Sequence, residues 1–336
     1  MKKKIKVCEF AYERVEINGF TGDVSFCCPA FTKIQSIGNI KNQSFQEIWN
    51  GEIAQKIRQS MIDGNFKYCY IDKCCSNEEL LIEISPKITN KANWPKIVEL
   101  APSSICNARC IMCRDVYKLD PAEKEKGFYD KMLPKYLEIL KYAKYMNLNQ
   151  CGEALACPHC KKLIQETIKI NPNIKIGILS NGKNCNLKTF NDYGILNNIY
   201  WVQCSIHATT KKTYDKIVKD SDFKIIKENL QWLSELKKAR HIERITMNFV
   251  VMSYNFKEIP KFIKWAKKLD FECDFWEIRQ HPGEVVSKMQ EDKNFKKLAV
   301  FNKEHPKHNE FINILKHPAL KEEHVHIDSF LLNLIK

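Results

Sequence analysis

The chain has 336 residues, 15 cysteines and a formal net charge of +14. At about 150 residues per domain this length predicts two domains, and it suffices to bury a core without disulfide bonds. A hydrophobic fraction of 44% and a charged fraction of 28% are ordinary for a globular protein and exclude extensive disorder. No apolar run reaches the ~18 residues of a membrane helix, and none follows the basic start, so no membrane partner and no secretory signal peptide are predicted. We expect a cytoplasmic protein, in which reduced thiols in such number indicate metal binding.

The positive charge indicates a solvated surface rather than a nucleic-acid partner. Lysines are spread along the chain and alternate with acidic residues, as in residues 123–126. A nucleic-acid groove is expected to show basic residues clustered with aromatic ones. The positive charge leaves an anionic substrate as an open alternative.

The segment before residue 86 predicts a small α+β domain. A strand is predicted at 5–10, and a hairpin is predicted from strands 14–17 and 24–28. Ser44 and Glu47 form a capping box at the start of one amphipathic helix that Gly64 ends. These apolar elements are few for the length of the segment, so a bound metal cluster would supply stability that the core lacks.

After residue 95 the pattern changes to alternating strands and amphipathic helices. The predicted strands are 97–101, 145–149, 174–179, 199–206, 245–251 and 273–278. Six βα units in a row predict an α/β fold with a parallel sheet, either open and doubly wound or a barrel. In both, ligands bind at the carboxyl ends of the strands. The chain from His281 onward predicts helices and no further strand.

Three cysteines follow the first of these strands in a C-x3-C-x2-C spacing. They are Cys106, Cys110 and Cys113. Three thiolates so close together can hold three corners of a cubane iron–sulfur cluster and leave the fourth iron open for a small ligand. A tetrahedral zinc site with Cys157 or Cys160 as fourth ligand is the alternative, and three ligands on one loop disfavour it.

This triplet and three later motifs resemble those of the radical S-adenosylmethionine (SAM) enzymes. The motifs follow successive strands in the family's order and are Gly152-Glu153, Ser180-Asn181-Gly182 and Ser205-Ile206-His207. The resemblance covers roughly residues 95–280 and implies a partial (βα)6 TIM-type barrel. It also implies that a [4Fe–4S] cluster on the three cysteines cleaves SAM reductively, and that the resulting radical abstracts a hydrogen atom from the substrate.

The resemblance implies a SAM pocket as well, with some departures from the family's pattern. Its expected residues are Met112, Gly152, Glu153, Ser180, Asn181 and Ser205. Met112 stands where an aromatic residue is common, and its sulfur can pack on adenine. Cys151 replaces the first glycine of a pair, and Lys219 is the candidate substitute for a basic residue that meets the SAM carboxylate. His207 replaces an aspartate, and we expect a structural hydrogen bond there, with proton transfer as the alternative.

The amino-terminal cysteines form a second constellation. Together with Gly22, residues 38–50 and Arg58, they resemble the SPASM domain, an auxiliary iron–sulfur module that usually follows the barrel and here precedes it. The resemblance implies a second [4Fe–4S] cluster on Cys8, Cys27, Cys69 and Cys74. Cys28 and Cys75 adjoin two of these and are expected to be spare, since neighbouring residues of an extended chain point in different directions. Zinc on the same four residues is the alternative.

The remaining cysteines and histidines are expected to be structural. Cys157 and Cys160 have redox or metal spacing at a helix start, and we favour two buried thiols. Cys185, Cys204 and Cys273 are interpreted as small core residues. The histidines after residue 304 have irregular spacing and predict no metal site.

The sequence therefore predicts an enzyme of the radical SAM type, its reaction subclass open. Expected domains are an auxiliary iron–sulfur domain at 1–92, the barrel at 93–285 and a helical extension at 286–336. The resemblance implies a peptide, protein or carbohydrate substrate that is oxidised, epimerised or joined by a new bond. It also implies a flavodoxin- or ferredoxin-type electron donor. The alternative is a non-catalytic iron–sulfur protein of electron transfer or regulation.

Overall fold

The computed structural model describes residues 5–28, 32–71, 74, 81–84, 89–113, 127–149, 152–279 and 292–336. Its strands are β1 Ile5–Cys8, β2 Arg14–Asn18, β3 Asp23–Ser25, β4 Gly38–Asn39, β5 Leu81–Ile84, β6 Ile97–Ala101, β7 Arg109–Cys110, β8 Tyr145–Leu148, β9 Lys175–Ser180, β10 Ile199–Ser205, β11 Val218–Lys219, β12 Arg244–Val251, β13 Glu272–Glu277 and β14 Val325–Ile327. Its α-helices are α1 Phe10–Glu13, α2 Phe45–Trp49, α3 Glu52–Ile62, α4 Phe128–Leu140, α5 Pro158–Ile170, α6 Leu187–Tyr193, α7 Lys211–Ile217, α8 Phe223–Lys238, α9 Ile259–Leu269, α10 Asp292–Leu298, α11 His308–Leu315 and α12 Ser329–Asn333.

The chain divides into two compact units that each combine separate segments. The first unit comprises Met1–Ser103, Pro121–Gln150 and His159–Gly177, and the second comprises Ser104–Asp120, Cys151–Pro158 and Ile178–Lys336. The six strands predicted after residue 95 are all present as β6, β8, β9, β10, β12 and β13, each within one residue of its expected ends. These strands could be predicted because each is an apolar run bounded by turn residues.

The first unit contains a sheet with the strand order β4-β3-β2-β6-β8. The predicted hairpin is present, because β2 pairs antiparallel with β3. β2 also pairs in parallel with β6, opposite Ile97–Ala101, and β6 pairs in parallel with β8. Gly19 after β2 permits this close approach, since a Cβ there would lie 2.1 Å from the Ala101 carbonyl oxygen. A separate antiparallel pair joins β1 to β5.

The helix expected after Ser44 is divided into α2 and α3. The capping box is present: Ser44 Oγ accepts from the Glu47 N–H, and the Glu47 carboxylate accepts from the Ser44 N–H. The prediction of one continuous helix was wrong, since Gly51 is extended and starts α3 anew. Arg58 on α3 is fully buried and donates to the carbonyl oxygens of Ala11 and Trp49 at 2.7 and 2.8 Å.

The second unit contains the strand order β10-β12-β13-β14, in which neighbouring strands are parallel. The prediction of helices alone after His281 was wrong: β14 pairs with β13, opposite Cys273 to Phe275. Three residues are too few for an alternating pattern to reveal a strand. A short antiparallel ribbon joins β7 to β11.

The predicted α/β class with a parallel sheet is confirmed. Strands and helices alternate from β8 to β13, as in the expected partial (βα)6 barrel. In the part of the chain that the structure describes, no helix is long and apolar enough to cross a membrane.

Candidate functional site

The three cysteines of the C-x3-C-x2-C loop lie in the second unit and are close enough to interact. The thiol of Cys110 interacts electrostatically with those of Cys106 and Cys113, and burial raises the pKa of Cys106 and Cys110. Cys113 is exposed. The loop is fixed by its backbone, since Cys110 pairs with Val218 in the β7–β11 ribbon and the next N–H, of Ile111, donates to Ile217 at 2.9 Å.

Charged side chains reinforce this ribbon. Arg109 makes a two-bond ion pair with Asp220, through Nε to Oδ2 and Nη2 to Oδ1. Asp220 adopts a left-handed backbone with φ of 61°, which turns the chain beyond β11. Lys219 is exposed, and its ammonium donates to the Asp215 carbonyl.

Glu153 joins two of the predicted motifs through hydrogen bonds. Its side chain is buried; Oε1 accepts from Ser180 Oγ at 2.9 Å, and Oε2 accepts from the Asn181 N–H at 2.6 Å. Its own N–H donates to the Ile105 carbonyl at 2.7 Å, next to Cys106. Burial raises the Glu153 pKa to about 7, and the hydrogen bonds from Asn181, Ser180 and Leu155 limit the rise.

Asn181 extends the network to the cysteine loop. Its Nδ2 lies 3.9 Å from Cys106 Sγ as a donor and 2.8 Å from Asn107 Oδ1. The N–H groups of Asn107 and Ala108 also bond to the Cys106 thiol, and such donors favour the thiolate form. The structure therefore brings Cys106, Glu153, Ser180 and Asn181 into one network.

The turn after β9 is held by hydrogen bonds to Ser180 and to Asn229. Gly182 has a φ of +81°, which a side chain would strain, and its N–H donates to Ser180 Oγ at 3.0 Å. Asn229 on α8 donates to the carbonyls of Gly182 and Lys183 at 2.8 and 2.9 Å. Asn229 was absent from the predicted site, because an asparagine within an amphipathic helix gives no sequence signal.

The other expected SAM-pocket residues, Met112, Gly152 and Ser205, are half-buried. Met112 lies in the cysteine loop, and Ser205 is the last residue of β10. Gly152 has a φ of 73°, a conformation that glycine adopts without strain. The prediction for Cys151 lies outside the described residues.

His207 is held as a neutral hydrogen-bond acceptor. Its Nδ1 accepts from the Val250 N–H at 3.0 Å, and Asn255 Nδ2 donates to the carbonyls of His207 and Val250 at 2.9 Å each. Burial lowers the His207 pKa to about 3. Its φ of 62° is unusual for a residue other than glycine. These contacts match the structural role expected from the sequence.

The four amino-terminal cysteines form a group in the first unit. Cys27 interacts electrostatically with Cys8 and Cys69, and Cys69 with Cys8 and Cys74. Burial raises the pKa of Cys8 and of Cys27, and it raises the pKa of Cys69 to about 11. Two N–H donors from α1 oppose this effect at Cys8, because they favour its thiolate form. Cys28 is exposed. Cys75 lies outside the described residues.

Both cysteine groups have the donor chemistry of an iron–sulfur cluster. Among the described residues, no three His, Cys, Asp or Glu side chains are arranged around a single metal ion. A cubane cluster binds each thiolate through a different iron, so its ligands need not converge on one point. Cys157, Cys160, Cys185, Cys204 and Cys273 are all buried, as expected for core thiols.

Three buried polar residues on adjacent strands of the first unit were not predicted from the sequence. Glu16 on β2, Glu99 on β6 and Asn147 on β8 are register neighbours and all buried. Asn147 donates to Glu99 at 2.9 Å, and Arg14 pairs with Glu16. The signal was a polar residue between two apolar neighbours in each strand, a pattern that also fits a solvent-facing position.

Comparison with known proteins agrees with the amino-terminal assignment. The model of the SPASM family, described as an iron–sulfur cluster-binding domain, matches residues 8–76. This segment is thus similar to the SPASM domain. It contains Cys8, Cys27, Cys69 and Cys74, and it precedes the barrel strands as expected. Among curated proteins there is no match.

Several solved structures are similar to parts of the chain, each with a TM-score below 0.5. TYW1 with a lysine-pyruvate adduct bound is 16% identical, with 66% of this chain and 72% of that chain covered and a TM-score of 0.40. SuiB from Streptococcus suis is 11% identical, with coverage of 82% and 54% and a TM-score of 0.44. The protein anSMEcpe with bound AdoMet and Cp18Cys peptide is 17% identical, with coverage of 70% and 63% and a TM-score of 0.42. The chain thus spans little more than half the length of SuiB, and likeness at this level does not extend to activity or substrate.

Proposed function

We propose that the chain is a radical SAM enzyme with an auxiliary iron–sulfur domain ahead of its barrel. The observation that carries the proposal is the hydrogen-bonded network in which Glu153 and Asn181 link the Ser180 turn to Cys106. The network unites three of the motifs that resemble the family's. The SPASM domain at residues 8–76 supports it independently.

Each expected cofactor has a defined set of residues. The catalytic [4Fe–4S] cluster would be held by Cys106, Cys110 and Cys113, and the auxiliary cluster by Cys8, Cys27, Cys69 and Cys74. SAM would be bound by Met112, Gly152, Glu153, Ser180, Asn181 and Ser205. The chemistry that the catalytic cluster would supply here is the one-electron cleavage of SAM, which would lead to hydrogen abstraction from the substrate.

The chain's own residues position these groups. Glu153 aligns the Ser180 hydroxyl and the Asn181 N–H, so that the turn after β9 keeps one conformation. Asn181 donates to Cys106 and thereby stabilises its thiolate, the form that binds iron. The Arg109–Asp220 pair and the β7–β11 ribbon keep the loop ordered at Cys110.

The substrate is a peptide, a protein or a carbohydrate, and it is oxidised, epimerised or joined by a new bond. A flavodoxin- or ferredoxin-type protein supplies the electrons. We assign the auxiliary domain to residues 1–92, the barrel to 93–285 and a carboxyl-terminal extension that contains β14 to 286–336. The competing function is a non-catalytic iron–sulfur protein, which would bind clusters without cleaving SAM.

Anaerobic reconstitution with iron and sulfide, followed by dithionite and SAM, tests the proposal. Two [4Fe–4S] clusters correspond to about eight irons per chain, and cleavage releases 5′-deoxyadenosine. Cys106→Ala is expected to abolish cleavage and to lose about four irons. Zinc in place of iron, or a full set of clusters without SAM cleavage for any substrate class, would refute the proposal.

The neighbouring pair Cys27 and Cys28 supplies a matched control for the auxiliary cluster. Cys27 interacts with Cys8 and Cys69, whereas Cys28 is exposed. Cys27→Ala is expected to lower iron to about four per chain, and Cys28→Ala to leave about eight. Equal loss in both variants would contradict the assignment of Cys27.

A further inference from the structure

The β7–β11 ribbon that carries Cys110 has an outward side with two cations. Cys110 and its register partner Val218 share one side of the ribbon, and Val218 is buried. Because neighbouring residues of a strand point to opposite faces, Arg109 and its register partner Lys219 share the other side. Both are exposed, with 65% of the Arg109 side chain accessible. Like charges directly opposite each other destabilise a strand pair, so this placement is not a stabilising feature of the fold.

Further positive charge adjoins the outward side of the ribbon. The Lys183 ammonium donates to two backbone carbonyls, among them that of Asp220 at 2.6 Å. The Asp220 carboxylate pairs with Arg109, and the Lys219 ammonium donates to a backbone carbonyl on α7. The Asp220 carboxylate offsets only one of these three positive charges, so an excess of positive charge remains.

The helix α7, which leads into β11, continues this positive charge. Lys212 and Lys216 are exposed and lie four residues apart, on the same face of α7. The Lys216 ammonium lies 5.9 Å from the centroid of the Tyr254 ring, and 46% of Tyr254 is exposed. Tyrosine and arginine are enriched at the centres of protein interfaces. We call the following six residues the basic surface: Arg109, Lys183, Lys212, Lys216, Lys219 and Tyr254.

The basic surface fits an acidic protein better than a small anion or a nucleic acid. A small-molecule site is concave and encloses its ligand, whereas these side chains are spread over a ribbon, a turn and a helix. A nucleic acid would bring its phosphates against Asp215 and Asp220, which pair with cations at this surface. A protein can place acidic residues opposite the cations and neutral or basic ones opposite the two aspartates.

We propose that the basic surface docks an acidic one-electron carrier protein, which reduces the catalytic cluster. One electron leaves the carrier, which is oxidised, and enters the cluster, which is reduced. The assignment of the partner as an electron carrier rests on the proposed function, whereas the docking of an acidic protein does not. Arg109 and Lys219 lie on the opposite side of the same two strands as Cys110, so the docked protein would lie next to the cysteine loop.

Binding of oxidised flavodoxin to the reconstituted full-length chain, measured by isothermal titration calorimetry, tests the docking. Flavodoxin is the acidic electron carrier, cytochrome c is the basic one, and a short RNA duplex is the nucleic-acid probe. Salt screens exposed charges, so flavodoxin affinity is expected to fall at least about tenfold between about 50 and about 300 mM NaCl. Salt-independent binding, no binding of flavodoxin, or tighter binding of cytochrome c or of the RNA would overturn the proposal.

A charge reversal and a matched control locate the docking surface. Lys216→Glu is expected to weaken flavodoxin binding at least about tenfold at low salt. Lys238→Glu changes the net charge equally at the exposed last residue of α8, about 22 Å from the start of that helix, and is expected to keep the affinity within about twofold. Tyr254→Ala, which leaves the charge unchanged, is expected to weaken binding about fivefold. Equal affinities of Lys216→Glu and Lys238→Glu, both folded by circular dichroism, would overturn the proposal.

The docking and the proposed function can fail separately. Dithionite is a small reductant that needs no docking surface, so the rate of SAM cleavage with flavodoxin, relative to that with dithionite, is expected to fall in Lys216→Glu. SAM cleavage with dithionite, but flavodoxin binding that Lys216→Glu does not weaken, would refute this inference alone. Flavodoxin binding that Lys216→Glu weakens, without SAM cleavage by dithionite, would refute the proposed function alone.

Discussion

Replacement of Arg58 by methionine tests how the SPASM domain is held together. The guanidinium is fully buried in the first unit, where Nε bonds to the Ala11 carbonyl and Nη1 to that of Trp49. It lies 4.6 Å from the Trp49 ring centroid and 4.8 Å from that of Phe26. Methionine keeps much of the volume and removes both the charge and the donors.

The expected effect follows from opposing contributions. Each of the two buried carbonyls left without a donor costs about 2 kcal/mol, and the lost cation–π contacts cost about 1.5 kcal/mol. Against this, burial lowers the pKa of Arg58 to about 10 from 12.5, which corresponds to about 3 kcal/mol of lost solvation that methionine avoids. The variant is therefore expected to lose about 2.5 kcal/mol of unfolding free energy.

Urea unfolding followed by tryptophan fluorescence measures this difference. The midpoint is expected to fall while the slope stays unchanged, because the surface exposed on unfolding is the same. Arg240→Met is the matched control, since Arg240 is exposed and its replacement is expected to change stability by at most about 0.5 kcal/mol. Equal or greater stability of Arg58→Met would show that desolvation outweighs the hydrogen bonds and would refute the reasoning.

Three further predictions concern pH and close packing. Folding raises the pKa of Glu153 to about 7 from 4.5, so the stabilisation present below pH 4.5 is lost as the pH rises through 7. Between pH 5 and pH 8, urea unfolding should show a loss of unfolding free energy on the order of 3 kcal/mol. The Glu153→Gln variant should lack this loss. Because folding lowers the pKa of His207 to about 3, the stabilisation present above pH 6.5 is lost as the pH falls towards 3, and His207→Asn should shift acid unfolding, followed by circular dichroism, to lower pH. Gly19→Ala should lower the thermal midpoint strongly, since its Cβ would lie 2.1 Å from the Ala101 oxygen. The Cβ of Gly64→Ala meets nothing within 4 Å, so that variant should cost only about 1–2 kcal/mol of backbone strain. Equal shifts of the midpoint in the two variants would contradict the close approach of Gly19 to Ala101.

The strands of the barrel were predictable because their signals are local. β6 ends at Ala101 as expected, since Pro102 follows an apolar run. The division between α2 and α3 was less visible, because the apolar spacing continues across Gly51. β14 was missed since its pairing with β13 is a tertiary contact between strands that are far apart in the chain.

The motifs of the site could be predicted from the sequence, but the hydrogen bonds that join them could not. The order of Cys106, Glu153 and Asn181 along the chain gave no indication that Asn181 donates to Cys106 or that Asn229 supports the turn. The polar faces of the strands escaped for a different reason. Asn248 and Asp274 lie in strands whose other face is apolar, and tertiary structure decides whether such a polar face meets solvent or the protein interior.

The parallel pairing of β2 with β6 has a consequence for how the chain folds. A truncation after residue 92 that removed the SPASM domain would leave one side of β6 with unpaired N–H and C=O groups, a site for intermolecular association. During synthesis, the β2–β3 hairpin leaves the ribosome before Ile97 is added, so β6 meets a partner that is already formed. The amino-terminal position of this domain thus allows it to serve as a template on which the first barrel strand folds.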